Sequence, residues 1–224
     1  LKGGPVANIE TLLNKITGQP FHNVSGFDFE TLKGDPEHIA ENLVVYIKGF
    51  SSKAREIIEY FNFEEHITRL DQANILYLIV QRFSEINLHP DLVSNWEMGL
   101  IFEELIRRFS EQSNETAGEH FTPREVIRLM VNLLFIEDTE ILTQKGIIKT
   151  LYDPACGTGG MLSVAEEYLR ELNPDARLVV FGQELNPESY AICLADMMMK
   201  GQESNNIKFG NSFSQDGLPD VKFD

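Results

Sequence analysis

Asp153-Pro154-Ala155-Cys156-Gly157-Thr158-Gly159-Gly160 follows a β-branched run, Ile147-Ile148-Lys149-Thr150-Leu151-Tyr152, and precedes an amphipathic helical pattern. That setting gives the glycines a chemical meaning. Glycine reaches backbone angles closed to other residues and presents no side chain to a ligand. A helix start carries amide hydrogens without partners inside the helix, so a glycine turn placed there can hold an anion. Asp153, at the carboxyl end of the strand, brings a carboxylate to the same place and can face an ammonium group. The plain alternative is a strand-to-helix turn that holds no ligand.

A second acid stands at the matching position of the next strand. Leu178-Val179-Val180-Phe181 reads as a strand, and Gln183-Glu184-Leu185-Asn186 follows it. Glu184 comes roughly two dozen residues after Gly160, where an acid at the tip of the second strand accepts both ribose hydroxyls in nucleoside-binding folds. Gly210-Asn211-Ser212-Phe213 follows a third strand, Asn206 to Phe209. There the Asn211 amide can meet a base edge and Phe213 can supply an apolar wall, although a simple loop explains the segment as well. Gly157-x-Gly159 also begins the dinucleotide pattern G-x-G-x-x-G, but Leu162 stands where the third glycine belongs, and no Gly-Lys-Ser/Thr follows.

Upstream, Gly118-Glu119-His120-Phe121-Thr122-Pro123-Arg124-Glu125 marks a helix start. Thr122 and Glu125 match a capping box, Pro123 suits the first helical position, and Phe121 can staple against Val126. This accounts for the segment without any ligand. A polar, glycine-led cap at the entry to the site can also close over what the glycine turn holds. His120 has no partner at metal-ligand spacing, so a solvated or packed histidine is expected rather than a metal ligand.

These residues need a scaffold, and the pattern from Pro123 onward supplies one. A helix from Pro123 to about Leu134 is followed by a strand, a helix from Gly160 to about Leu172, a strand, a helix from Pro187 to about Lys200, and a strand. Strands alternating with helices imply a parallel, doubly wound sheet. Val221-Lys222-Phe223 reads as the beginning of a further strand. Before about Ser113 the periodicity is helical instead: Asp35-Pro36 as N-cap and N1, then Ile39, Leu43, Val44, Ile47 and Phe50. Later faces are Ile75, Ile79, Phe83 and Ile86, and then Met98, Ile101, Phe102, Leu105, Ile106 and Phe109. The expected organisation is a helical N-terminal domain over 1–113 and an α/β domain over 114–224, with Glu111 to Gly118 as a linker.

Acidic residues number 35 and basic residues 19, a formal charge of −16. A surface of that sign repels phosphate backbone, so any contact with nucleic acid is local or supplied by a partner. No apolar stretch approaches the roughly 20 residues that span a bilayer, so no membrane role is expected. Cys156 and Cys193 are the only cysteines. They form no disulfide framework or metal-ligand pair, which fits a reducing, cytoplasmic setting. The start, Leu1-Lys2-Gly3-Gly4, has neither an initiator Met nor a signal peptide, and reads as cut from a longer protein.

Taken in order, Gly118 to Glu125, Asp153 to Gly160, Gln183 to Asn186, and Gly210-Asn211 resemble the amino-DNA methyltransferases, in particular the modification subunits of type I restriction-modification systems. The resemblance covers about Glu97 to Asp224, with weaker landmarks before it. It implies a helical domain followed by part of a Rossmann-like class I methyltransferase domain, and S-adenosyl-L-methionine as cofactor. It implies that Phe121, Thr122 and Pro123, with Asp153 to Gly160, bind the methionine part, and that Glu119 and His120 are also among the cofactor-binding residues. Glu184, with Leu185 beside it, would hold the ribose, and Asn211 would lie near the adenine. The family often has Asp where Asn211 stands. Family members also carry Asn-Pro-Pro-aromatic at the end of a further strand, the motif that grips a flipped adenine. No such sequence occurs here, so no catalytic residue is assigned, the motif is expected beyond Asp224, and the chain alone is expected to be inactive. The partners implied are the specificity and restriction subunits of a type I complex, with DNA bound mainly through the specificity subunit. Two other readings stay open: a noncatalytic assembly module with a vestigial nucleotide site, and a dinucleotide-dependent oxidoreductase.

Overall fold

The computed structural model describes residues 7–112, 122–138 and 142–224. Glu119, His120 and Phe121, and most of the expected linker, lie outside the described residues. The chain divides into two compact units, Leu1–Met98 and Gly99–Asp224.

The first unit is helical. Its helices are α1 (Ala7–Thr17), α2 (Phe29–Lys33), α3 (Ile39–Lys48), α4 (Ser52–Tyr60), α5 (Phe63–Gln72) and α6 (Leu76–Ser84). The start of α2 is fixed by a reciprocal cap: Thr31 N–H donates to Asp28 Oδ1 at 2.7 Å, and Asp28 N–H donates to Thr31 Oγ1 at 2.8 Å. Leu32, Ile39, Ile67, Leu76 and Val80 form the buried core, with Leu43, Val44 and Ile47 packed against it. This is the α3 face expected from the apolar spacing. The start of that helix differs, because Pro36–His38 is a 3-10 turn and Asp35 makes no side-chain cap. The Asp35 carboxylate is engaged by His38 Nδ1 at 3.0 Å and by the Asn42 amide at 3.2 Å, so it is unavailable to the helix amides.

Helix α7 (Asn95–Gln112) carries the chain into the second unit, whose framework is α8 (Arg124–Phe135), β1 (Ile148–Asp153), α9 (Gly160–Leu172), β2 (Arg177–Glu184), α10 (Pro187–Met199) and β3 (Ile207–Phe209). The three strands are parallel in the order β1-β2-β3, with Asp153 opposite Gly182 and Glu184 opposite Phe209. Helix α8 buries Ile127, Val131 and Phe135, one residue per turn, and α9 buries Leu162, Ala165 and Leu169 in the same way. In β2, Leu178 and Val180 are buried while the alternate Val179 and Phe181 are half-buried, the two-residue period of a strand covered more fully on one face.

Val221 to Asp224 form no strand. These residues lie along β1 through side chains instead of a backbone ladder. Phe223 stacks on Tyr152 with ring centroids 4.7 Å apart and planes at 18°. The Asp224 carboxylate accepts from the Thr150 amide at 2.9 Å and from Lys149 Nζ at 3.1 Å. Among the described residues no helix is long and apolar enough to cross a membrane.

Candidate functional site

The parallel strands end together, and that common end is where the turns after β1 and β2 meet. After β1 the chain folds back through Asp153, whose Oδ1 accepts the Ala155 amide at 3.0 Å. The Cys156 amide donates to the Gln183 carbonyl of β2 at 3.1 Å, so the turn is tied to the neighbouring strand. Gly157 and Gly159 have φ of +53° and +86°, angles that a side chain makes costly. The two glycines serve different ends. A Cβ on Gly157 would meet nothing within 4 Å, and Gly157 lines a cavity of about 550 Å³. A Cβ on Gly159 would come within 2.9 Å of Cys193 Sγ on α10. Gly157 therefore leaves its side of the cavity open, whereas Gly159 is required by helix packing.

Glu184 closes the site from the second strand. Its Oε2 accepts the Gly157 amide at 2.7 Å and its Oε1 accepts the Asn186 amide at 2.7 Å. Each carboxylate oxygen can take a further hydrogen bond. Asn186 was not singled out by sequence, yet its Oδ1 accepts the amides of Glu188 and Ser189 and caps α10, with Pro187 at the first helical position. Asn-Pro before an apolar run was the available signal.

The cavity is lined by Thr122, Asp153, Ala155, Cys156, Gly157, Thr158, Gly160 and Glu184 among the expected residues. Pro123, Pro154, Gly159, Leu185 and Asn211 are not part of that lining. Leu185 is exposed. Asn211 spends its side chain on its own loop, where Oδ1 accepts the Phe213 amide at 2.9 Å, and Phe213 is fully exposed. The expected capping box at Thr122 is absent: Pro123 is the N-cap of α8 and no side chain caps the helix. The first amides of α8 turn to the Pro123 carbonyl instead, Val126 at 2.9 Å and Ile127 at 3.1 Å, which leaves Thr122 facing the cavity.

Sequence reading missed the polar residues that the helices bring to the cavity. Glu103 of α7, Arg124 of α8, Ser163 of α9 and Asp196 of α10 all line it. Arg124 contacts Glu103 at 3.6 Å and Glu167 at 2.5 Å. Asp196 Oδ2 accepts from Ser163 Oγ at 2.9 Å and from Lys200 Nζ at 2.7 Å. Burial pushes the carboxyls of Asp196 and Glu103 above their ordinary values. Burial does the same to Asp153, with the neighbouring charge of Glu184 adding to it. The Cys193 thiol is raised well above its usual value by its hydrogen bond with Cys156 and by burial, so Cys193 packs rather than reacts.

A glycine turn after β1, an acid at the tip of β2 and a cavity at the carboxyl end of a parallel sheet define a Rossmann-like fold. The chain is similar in fold to the methyltransferase subunit of a type I restriction-modification system from Streptococcus thermophilus, with a TM-score of 0.67 at 21% identity, over 97% of this chain and 46% of that one. Residues 94–224 match the N-6 DNA Methylase family. The chain belongs to that family. It is 30% identical over 156 residues to the "Type I restriction enzyme MjaIX methylase subunit" of Methanocaldococcus jannaschii, covering 69% of this chain and 26% of that protein. It is 26% identical over 227 residues to the StySJI methylase subunit of Salmonella typhimurium, covering 91% of this chain and 40% of that protein. The chain thus spans about a quarter of the first relative's length and less than half of the second's.

Proposed function

We propose that this chain is the S-adenosyl-L-methionine-binding portion of a DNA adenine-N6 methyltransferase subunit of a type I restriction-modification system. The observation that carries the reading is the junction of Gly157 and Glu184 at the cavity. An open glycine and a carboxylate with spare acceptor capacity meet there at the carboxyl ends of β1 and β2. Glu184 would accept the ribose hydroxyls, and the turn from Asp153 to Gly160, with Thr122 opposite, would hold the methionine part. The volume of about 550 Å³ lies within the range of small-molecule sites. When bound, the cofactor supplies a methyl group activated by a sulfonium centre. The residues of this chain bind and orient it, and the 224 residues include no Asn-Pro-Pro-aromatic sequence that would grip the adenine.

The charge of −16 supports a division of labour in which a specificity subunit carries the DNA and a restriction subunit completes the complex. Isothermal calorimetry tests the cofactor assignment. Saturable binding of S-adenosyl-L-methionine is expected, weakened about tenfold or more by Gly157→Val in folded protein. Absence of binding to the unaltered chain overturns it. Transfer of labelled methyl groups to DNA adenine tests the reaction, with none expected from the chain alone. Failure by the full subunit with its specificity partner would favour an assembly module.

A further inference from the structure

Gly99 and Lys200 stand behind the cavity wall and hold side chains that line it, although neither is part of the lining. The Lys200 side chain is only 1% exposed. Its Nζ donates to Asp196 Oδ2 at 2.7 Å and to Ser163 Oγ at 2.8 Å, so it fastens α10 to the first turn of α9. Ser163 lies directly after the glycine turn, and its amide donates to the Gly159 carbonyl at 3.0 Å. The alkyl chain of the same lysine is the seat of α7. A Cβ on Gly99 would come within 2.5 Å of Lys200 Cε and 2.6 Å of its Cγ, so only a residue without a side chain lets the helix lie this close. Gly99 shares its helix face with Phe102, Glu103 and Ile106, at the i+3, i+4 and i+7 positions, and all three line the cavity. Glu103 in turn meets Arg124 at 3.6 Å, beside Thr122. A buried ion pair adds little to stability over apolar packing of the same volume. This one sets the spacing of three helices around one cavity.

We propose that Lys200, seated under Gly99, is the positioning residue for the part of the cavity that takes the amino-acid tail of an adenosyl ligand, because it fixes the α7 wall against the start of α9. The inference rests on the adenosyl reading of the site and deepens it. In that reading the tail lies between the glycine turn and Thr122, the region that Ser163 and the α7 face border. Glu184 holds the ribose from β2, an element that none of these contacts involves. Loss of the Lys200 seat should therefore be felt by the tail and not by the nucleoside.

The test is calorimetry on the intact chain with two neutral thioethers, S-adenosylhomocysteine and 5′-methylthioadenosine, the weaker one measured by displacement. They share the adenosyl group and the sulfur, and only the first carries the amino-acid tail. Lys200→Met removes the hydrogen bonds to Ser163 and Asp196, and Gly99→Ala pushes α7 from its seat while leaving the lysine in place. Each is expected to weaken S-adenosylhomocysteine about fivefold or more and to leave methylthioadenosine within about twofold of its affinity for the unaltered chain. A merely structural role would weaken both ligands alike, so equal losses overturn the proposal and leave the adenosyl reading standing. Unchanged affinity for S-adenosylhomocysteine in the folded variants overturns it as well. Should Lys200→Met fail to fold, Gly99→Ala, which keeps the ion pair, decides alone. If neither thioether binds the unaltered chain, the adenosyl reading falls and the proposal falls with it.

Discussion

The Gly157 amide donates to Glu184 Oε2 at 2.7 Å, so the turn after β1 and the tip of β2 are one hydrogen-bonded unit. The second oxygen of the same carboxylate holds the Asn186 amide at 2.7 Å, directly before the cap of α10. Glu184 therefore supports both loops that border the cavity while presenting acceptors to it.

From this follows a prediction for Glu184→Ala. Any adenosyl ligand should lose about 1.5 to 3 kcal/mol for each charge-assisted hydrogen bond removed. S-adenosyl-L-methionine and S-adenosylhomocysteine share the ribose and should weaken alike in calorimetry. A loss confined to one of them would place the ribose elsewhere.

The two glycines should separate in their effects. Gly159→Ala forces a Cβ to within 2.9 Å of Cys193 Sγ at a φ of +86°, and overpacking of this kind costs roughly 1 to 3 kcal/mol in addition to the backbone strain. Gly157→Ala meets open space and bears only the left-handed strain, about 1 to 2 kcal/mol. Denaturant unfolding should rank Gly159→Ala as the less stable protein. Equal midpoints would mean that α10 yields freely to the added carbon.

The sheet face beside β1 offers a third. Phe223 stacks on Tyr152 at 4.7 Å and contacts Phe181 at 5.1 Å, and aromatic pairs contribute about 0.5 to 1.5 kcal/mol each beyond their burial. Phe223→Leu keeps apolar bulk but removes both ring contacts, so a stability loss of about 1 to 2 kcal/mol is expected in denaturant unfolding. An unchanged midpoint would show that the ring adds nothing to the edge.

The parts of this molecule legible in sequence are those whose cause is local. Helix α9 runs from Gly160 to Leu172 as its spacing predicts, and β1 and β2 fall on the β-branched runs. The cavity residues of the glycine turn and Glu184 were readable because each sits at a strand end, a position that sequence marks. The capping box at Thr122 looked equally local, but Pro123 took the N-cap, so a pattern match did not decide which residue turned toward the helix. Val221 to Phe223 had strand composition, while the Thr150 amide found the Asp224 carboxylate instead of a backbone carbonyl. Glu103, Ser163 and Asp196 lie on three helices far apart in the chain. Only the packing of those helices brings them to one cavity, and no spacing rule joins them.

The last prediction concerns pH, and its sign follows from two opposed sets of carboxyls. Burial raises Glu103, Asp153, Glu166 and Asp196 above their ordinary values. The folded protein therefore takes up their protons at a higher pH than the unfolded chain does. The stability they contribute is fully present below the unfolded values and is lost as pH rises through the folded ones. His38, raised chiefly by its hydrogen bond to Asp35, acts in the same direction. Hydrogen bonds depress Asp28, Asp35, Glu97 and Asp224, and the guanidinium groups of Arg107 and Arg108 hold Glu104 at about 2. Stability from this second set is present above the unfolded values and lost as pH falls through the folded ones. Lowering the pH from neutrality should thus first raise the thermal midpoint and then lower it, with a maximum just above the ordinary carboxylate range, at about pH 5. Relief of the −16 net charge also favours the acid side. Glu103→Gln separates the two causes, because it removes one raised carboxyl while most of the charge remains. The rise from neutral to mildly acid pH should shrink in that variant, measured by calorimetric melting. A midpoint that falls steadily from neutrality downward would show that the paired surface carboxylates outweigh the buried four throughout.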